Sequence, residues 1–294
     1  MIARLVLIVF AGIFGGAALA NAGVVLPRAD PGTQQIEIHY VAHDGVTRAA
    51  YVLLPAWYSP GKNPPLPLVI SPHGRGIDAR ANAHVWGALP GREGFVVVNP
   101  EGQGRKLQLY SWGDPGQIAD LARMPDIVQD ALPWVHVDRS HIYAVGGSMG
   151  GQETLLLLAR YPHLLAGAIS FDAPTNLAVR YRDFPGIVGG GRLQQLARFE
   201  VGGTPLRDPR AWAVRSPLEF AREIAFSGVP LELWWSRSDR IVVDQAQQSG
   251  LLYREIERLN PAAPVVQHVG TWAHCREMRW TARLPEALAG IGIG

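Results

Sequence analysis

The sequence predicts an α/β fold: a mainly parallel central sheet with helices on both faces, an N-terminal antiparallel hairpin and an inserted, lid-like segment. Three observations predict it. Short apolar runs of strand length alternate with stretches of helical spacing along most of the chain. Those runs are almost unbroken Val, Ile, Leu and aromatic, as strands covered on both faces are. The 294 residues, 48% of them hydrophobic, can also bury one large core without dividing.

Each element follows from its own residues. Ile36 to Val41 alternates apolar and polar residues, Asp44-Gly45 is a turn pair, and Arg48 to Leu54 reads as a returning strand; together they make the hairpin. Leu68-Val69-Ile70 is a short strand ending in Ser71-Pro72-His73-Gly74. Phe95 to Val98 is a buried strand, and 117–132 has helical spacing, with Pro125 suited to start its main part. Ile142 to Val145 is a strand, 152–160 a helix, 167–171 a strand, and 231–235 another. A helix over 244–259, a strand over 265–269 and a helix over 276–288 complete the alternation. The stretch 175–226 holds two glycine clusters, several prolines and many arginines, but no strand pattern. It reads as an insertion between sheet strands, placed to serve as a lid or substrate wall.

Residues 1–22 read as a secretory signal peptide, leaving 23–294 as the catalytic domain. Arg4 precedes the uncharged apolar run Leu5 to Ala20, and Ala18-Leu19-Ala20 and Ala20-Asn21-Ala22 are small-residue cleavage patterns. An uncleaved anchor is the alternative, but the run is short against the roughly 20 residues of a typical spanning helix. A secreted or periplasmic protein is expected, with no stable membrane association after cleavage. Cys275 is the single cysteine, so the fold must rest on its core rather than on disulfides. The formal net charge of +2, with the arginines scattered, argues against a nucleic-acid partner. Nothing in the sequence sets an oligomeric state.

The chemistry starts at Gly146-Gly147-Ser148-Met149-Gly150-Gly151, a G-x-S-x-G turn between a predicted strand and a predicted helix. So tight a turn leaves no room for side chains beside the serine, and it lifts the hydroxyl to a helix N-terminus, where developing negative charge is favoured. A serine hydroxyl needs a base to take its proton. His163, His268 and His274 follow it in the chain. His163 ends the elbow's own helix and points away. His268 lies inside a strand. His274 lies in the loop after that strand, so it is the preferred base, with His268 the fallback. An acid must orient the imidazole. Asp239, in the loop after Trp234-Trp235, is preferred over Asp172, which follows the strand after the elbow. Asp244 reads as a helix cap. Two backbone N–H groups should hold the oxyanion. Met149 supplies one, and Arg75, with Gly76 next, the other. His73 reads as a structural loop residue.

With these residues in place, the chain resembles the α/β-hydrolase superfamily, and within it the prolyl-oligopeptidase-type catalytic domain and related secreted esterases and polyester depolymerases. His73-Gly74, Val137-Asp138-Arg139, Ile142-Tyr143, Gly146 to Gly151, Tyr161-Pro162, Ser238 to Val242 and His274 carry the likeness. The resemblance implies a triad of Ser148, Asp239 and His274 and an acyl-enzyme mechanism on a small or polymeric ester. Oligopeptidases of this type carry a large N-terminal propeller, where this sequence shows only a hairpin, which turns the expectation toward esters. A peptidase or aminopeptidase, an acyltransferase and a non-catalytic binding relative are the alternatives.

Other residues have plainer roles to play. Trp86, Trp112, Trp234 and Trp235 read as core, whereas Trp272, close to His274, is a candidate for the substrate pocket. Arg180 and Arg182 could bind a substrate carboxylate but read as solvated surface. Cys275 lacks the elbow and reads as a packed or incidental thiol. With no H-E-x-x-H, Cys/His cluster or G-x-x-x-x-G-K, no catalytic metal and no cofactor are expected.

Overall fold

The computed structural model describes residues 24–26 and 32–293; the signal peptide predicted over 1–22 lies outside the described residues. Its nine strands are β1 (Val24–Leu26), β2 (Thr33–Val41), β3 (Thr47–Pro55), β4 (Leu66–Ile70), β5 (Val96–Pro100), β6 (Val137–Gly147), β7 (Gly167–Phe171), β8 (Leu231–Ser236) and β9 (Val265–Gly270). They form one sheet in the order β1-β2-β3-β5-β4-β6-β7-β8-β9. From β5 to β9 neighbouring strands run parallel, whereas β1, β2 and β3 pair antiparallel with their neighbours. The hairpin therefore sits toward one edge, as its alternation predicts: Ile36, Ile38 and Tyr40 are buried, and His39 and Val41 are exposed. Gly45 closes its turn at φ 79°, a conformation that glycine adopts without strain.

Helices cover both faces. On one side Ile118, Val128, Leu155, Leu252 and Ile256 pack against the sheet, from the helices Pro115–Ala122, Met124–Ala131, Met149–Arg160 and Ser249–Leu259. On the other, Ala83, Leu89, Leu284 and Leu288 do so, from Ala79–Ala83, Leu89–Glu93 and Leu284–Gly290. The strand order places the site. The chain leaves β4 toward β5 and leaves β6 toward β7, so the loops after these two adjacent strands diverge and open a crevice at the sheet's C-terminal edge.

The structure departs from the sequence reading in four places. The helix expected over 117–132 is two helices, with Pro125 in the first turn of the second. The last helix begins at Leu284 rather than 276, because Pro285 cannot sit inside a helix and takes its first turn instead. The helix expected over 244–259 is a single 3₁₀ turn, Gln245–Gln247, followed by Ser249–Leu259. Asp244 makes no side-chain cap there; its φ of 54° is left-handed, whereas a capping side chain needs extended backbone.

The 175–226 stretch is helical, with Leu177–Asp183, Gly190–Val201, Pro209–Ala213 and Ala221–Ala225 as its helices. It has a core of its own, in which Leu177, Phe184, Ala197, Val201 and Trp212 gather around Trp112. Glu200 ties it to the loop after β5 by accepting the backbone N–H groups of Lys106 (2.8 Å) and Leu107 (3.0 Å).

Candidate active site

Ser148 stands between β6 and the helix Met149–Arg160 with φ 57° and ψ −126°. A non-glycine residue at positive φ is strained, and here the surroundings impose it. The Ser148 N–H donates to Phe171 O at 2.8 Å, and Ser148 O accepts the Gln152 N–H at 3.0 Å. The flanking glycines are needed for close approach. A Cβ on Gly150 would lie 2.1 Å from Pro72 O, and one on Gly146 would lie 2.3 Å from Gly150 O. Gly147 is closed off differently, since a Cβ there would meet Cys275 Sγ and Met278 Sδ at 2.9 Å.

His274 follows β9, and Asp239 follows β8, the strand beside it. His274 Nδ1 lies 2.7 Å from Asp239 Oδ2, and the Asp239 side chain is fully buried. The loop fixes that carboxylate from behind: its Oδ1 accepts the N–H groups of Ile241 (2.8 Å) and Val242 (3.0 Å). Burial opposes a charge on His274, while the adjoining Cys275 sulfur and the Asp239 carboxylate favour it. The favourable contacts win, so the imidazole sits above its ordinary pKa. Ser148 and His274 line one cavity of about 350 Å³ with Gly74, Arg75, Ile77 and Met278 among its walls. Among the described residues no hydrogen bond joins Ser148 to His274, and the His274 imidazole is held from its other side by Asp239.

The rival acid has another task. Asp172, at φ 46°, accepts N–H groups from Ser236 (2.9 Å), Trp272 (3.1 Å) and Cys275 (2.7 Å). It thereby clamps the loop carrying His274 to the ends of β7 and β8. Burial pushes its carboxyl up to about 6. The sequence reading weighed Asp172 only as an acid and missed the clamp, whose donors are two backbone groups and an indole from distant loops.

The remaining candidates sort by contact. His268 stacks on Trp234 at 3.9 Å and is absent from the walls of the Ser148 cavity, where His274 stands instead. His73 is structural as expected: its Nε2 accepts the Gly102 N–H (2.7 Å), so its Nδ1 donates to Gly74 O (2.7 Å). Trp272 has two contacts that matter. Its indole N–H is held by Asp172 and it is absent from the walls of the Ser148 cavity, yet it lines a neighbouring cavity of about 490 Å³ that shares Ile241 and His274 with that one. Arg182 is exposed, but Arg180 overturns the solvated reading: it is 3% exposed and lies 4.7 Å over Phe184. No side chain of the 175–226 insertion lines the cavity, since its apolar residues pack on one another and on Trp112.

Asp172, His274 and Cys275 bring ligand-type atoms within 4.8 Å of one another. They do not fit a metal ion. Asp172 is taken by its N–H donors and His274 Nδ1 by Asp239, while burial pushes the Cys275 thiol up, away from the thiolate a metal needs. Cys275 lies against the elbow at Gly147 and lines the cavity with Ser148 and His274, without the elbow's geometry. Cys275→Ala is therefore expected to keep ester turnover within about tenfold of wild type. A loss as deep as that of Ser148→Ala, in the same assay, would move the nucleophile to the sulfur.

No protein-family model matches the sequence. The poly(3-hydroxyalkanoate) depolymerase C of Paucimonas lemoignei is 31% identical over 109 residues, 35% of this chain and 26% of that protein. The chain thus spans about a quarter of that relative. An acylaminoacyl peptidase of Pyrococcus horikoshii superposes with a TM-score of 0.62 at 18% identity, over 85% of this chain and 39% of the other. An esterase of Pyrococcus furiosus superposes with a TM-score of 0.60 at 18% identity, over 86% of this chain and 89% of the other. The sheet order, the serine turn at the crevice and these superpositions agree, and the chain has the α/β-hydrolase fold.

Proposed function

We propose that the protein is an exported serine hydrolase that cleaves carboxylic esters through an acyl-enzyme on Ser148. The observation that carries this reading is the 2.7 Å contact of His274 Nδ1 with buried Asp239, in a cavity shared with the strained Ser148. With Nδ1 held by Asp239, His274 presents Nε2 to the serine. His274 removes the Ser148 proton as the oxygen attacks the ester carbonyl, and returns it to the leaving alcohol. Water then repeats the sequence on the acyl-enzyme. The oxyanion falls to the N–H of Met149, which as the first helical residue has no intrahelical partner. Arg75 N–H is the second donor in this reading; the loop backbone at Gly74 lies against the elbow, a Cβ there falling 3.7 Å from Ser148 Cβ. The likeness to a depolymerase supports an ester, small or polymeric, as substrate. Export rests on the leader pattern of residues 1–22, and the mass of the protein recovered from the cell exterior tests it.

The direct test is turnover of a p-nitrophenyl ester series beside the matching p-nitroanilides. Ser148→Ala is expected to lower kcat/KM on the esters by about three orders of magnitude or more. Equal activity of variant and wild type would remove Ser148 as nucleophile. Turnover of anilides alone would make the protein a peptidase.

A further inference from the structure

The cavity of Ser148 does not stand alone. It shares Val85 and Arg279 with a second cavity of about 290 Å³, which Trp280 and Thr281 also line. It shares Ile241 and His274 with the cavity of about 490 Å³ that Thr271 and Trp272 line. The two outer cavities have no wall residue in common, so the three lie in series, with the nucleophile in the middle one.

Each outer cavity has a tryptophan that the backbone holds in place. The Trp280 ring lies against Gly87, where a Cβ would overlap it. The Trp280 backbone N–H donates to Val85 O at 3.0 Å, which ties it to the wall that two of the cavities share. The Trp272 ring lies against Gly270, where a Cβ would again overlap it, and its indole N–H is held by Asp172 at 3.1 Å. Both rings are fixed before a ligand arrives, so binding against them costs little in ordering.

The chemistry of the walls is one-sided. Arg75, Arg240 and Arg279 line the series, and none of them is in an ion pair among the described residues. Among those residues no aspartate or glutamate lines any of the three cavities. A neutral ester chain carries carbonyl acceptors and no N–H, so guanidinium donors suit it. The N–H groups or ammonium end of a peptide would meet no carboxylate there. Ile77, Val85, Ile241 and Met278 offer apolar surface to the methylenes between esters.

We propose that the substrate is a neutral linear polyester that lies along all three cavities and is cut at an interior bond. Its acyl part lies toward Trp280 and its leaving alcohol toward Trp272. The direction follows from His274, which returns the proton to the leaving oxygen and shares its cavity wall on that side. The interior ester C–O bond breaks after Ser148 O bonds to the carbonyl carbon. The serine proton passes through His274 to the released alcohol end, and water frees the acyl end as a carboxylic acid. The proposal rests on the ester-hydrolase reading, and its test separates the two.

The test uses oligomers of 6-hydroxyhexanoic acid, acetylated at the hydroxyl end and methylated at the carboxyl end so that neither end is charged. From dimer to hexamer, kcat/KM per ester bond is expected to rise by about tenfold or more, as burial of further methylenes allows. The first cut should fall at an interior bond. Ala81→Trp narrows the cavity of Trp280 and should move that cut toward the acetylated end. Thr271→Trp narrows the cavity of Trp272 and should move it toward the methylated end. The readout is the mass of the first products within each variant, so a change in overall rate cancels. Rates that are flat with length overturn the proposal, as do cuts that stay in place in both variants. A capped neutral hexapeptide cleaved faster than the hexamer would put a peptide in the groove and overturn it as well. Hydrolysis of p-nitrophenyl acetate with no gain from chain length would reject the groove and keep the hydrolase. Tighter binding of hexamer than of dimer to Ser148→Ala, by calorimetry, with no turnover by wild type, would do the reverse. Equal binding of the two would reject the groove even without turnover.

Discussion

Asp239→Asn is expected to lower kcat on esters by about three to four orders of magnitude at neutral pH while leaving the fold intact. The reason lies in how the carboxylate is held. One oxygen accepts the N–H groups of Ile241 and Val242, so an asparagine must turn its carbonyl oxygen to them. Its NH₂ then faces His274 Nδ1, where the carboxylate had accepted a proton. The imidazole answers by carrying its hydrogen on Nε2, and the nitrogen facing Ser148 can no longer accept the serine proton. The variant should also move the acid limb of the kcat/KM profile. In wild type that limb should lie above the ordinary imidazole value of about 6.5, because the folded site favours charged His274. Removing the Asp239 charge should shift it to lower pH. Asp172→Asn is the control. Its amide cannot accept at every position that the carboxylate does, so the His274 loop should loosen and thermal stability should fall. If Asp172→Asn shows the thousandfold loss and Asp239→Asn does not, the acid has been assigned to the wrong strand end.

The residues of this pair were legible because their position depends on strand order, and strand order follows from local patterns. Unbroken apolar runs such as Val96–Val98 announce buried parallel strands, and in such a sheet the loops after neighbouring strands β8 and β9 must meet. The elbow was legible because glycines crowd both sides of Ser148 where little else fits. The rest depended on contacts between segments far apart in sequence. Asp172 and Cys275 are separated by 103 positions yet share a 2.7 Å hydrogen bond, and nothing local in either loop announces it. Arg180 lies in a helix rich in charge, where surface is the natural reading. Phe184 lies against its guanidinium, and Phe184 is held in turn by Trp112 in the insertion's own small core. The final helix failed for a local reason that the pattern concealed. The apolar spacing over 276–288 is periodic, but Pro285 fixes where the first turn must be.

Glu153→Gln is expected to stabilise the protein increasingly from about pH 5 to pH 8. Glu153 lies in the helix that begins at the nucleophile, and it is 1% exposed. Burial pushes its carboxyl from 4.5 up to about 8, against the opposing hydrogen bonds of Ser111 and Gln117. Asp114 also raises it and Arg215 lowers it, but these two are paired with each other at 2.6 Å. At neutral pH the group is therefore the protonated acid, buried beneath the active-site crevice. The sign follows from proton counts. Between 4.5 and 8 the folded chain keeps the Glu153 proton and the unfolded chain releases it, so folding loses stability as pH rises. The slope approaches about 1.4 kcal/mol per pH unit, and the sum across the interval is on the order of 5 kcal/mol. Below the unfolded value the contribution is fully present, and above the folded value its loss is complete. Glutamine has nearly the same shape, offers a carbonyl to Ser111 and does not titrate. The Tm difference between variant and wild type should accordingly be small at pH 5, widen toward pH 8 and level off beyond it. Parallel Tm curves across that range would show that Glu153 ionises in the folded protein at the ordinary carboxylate pH, and that the buried acid beneath Ser148 is a charged one.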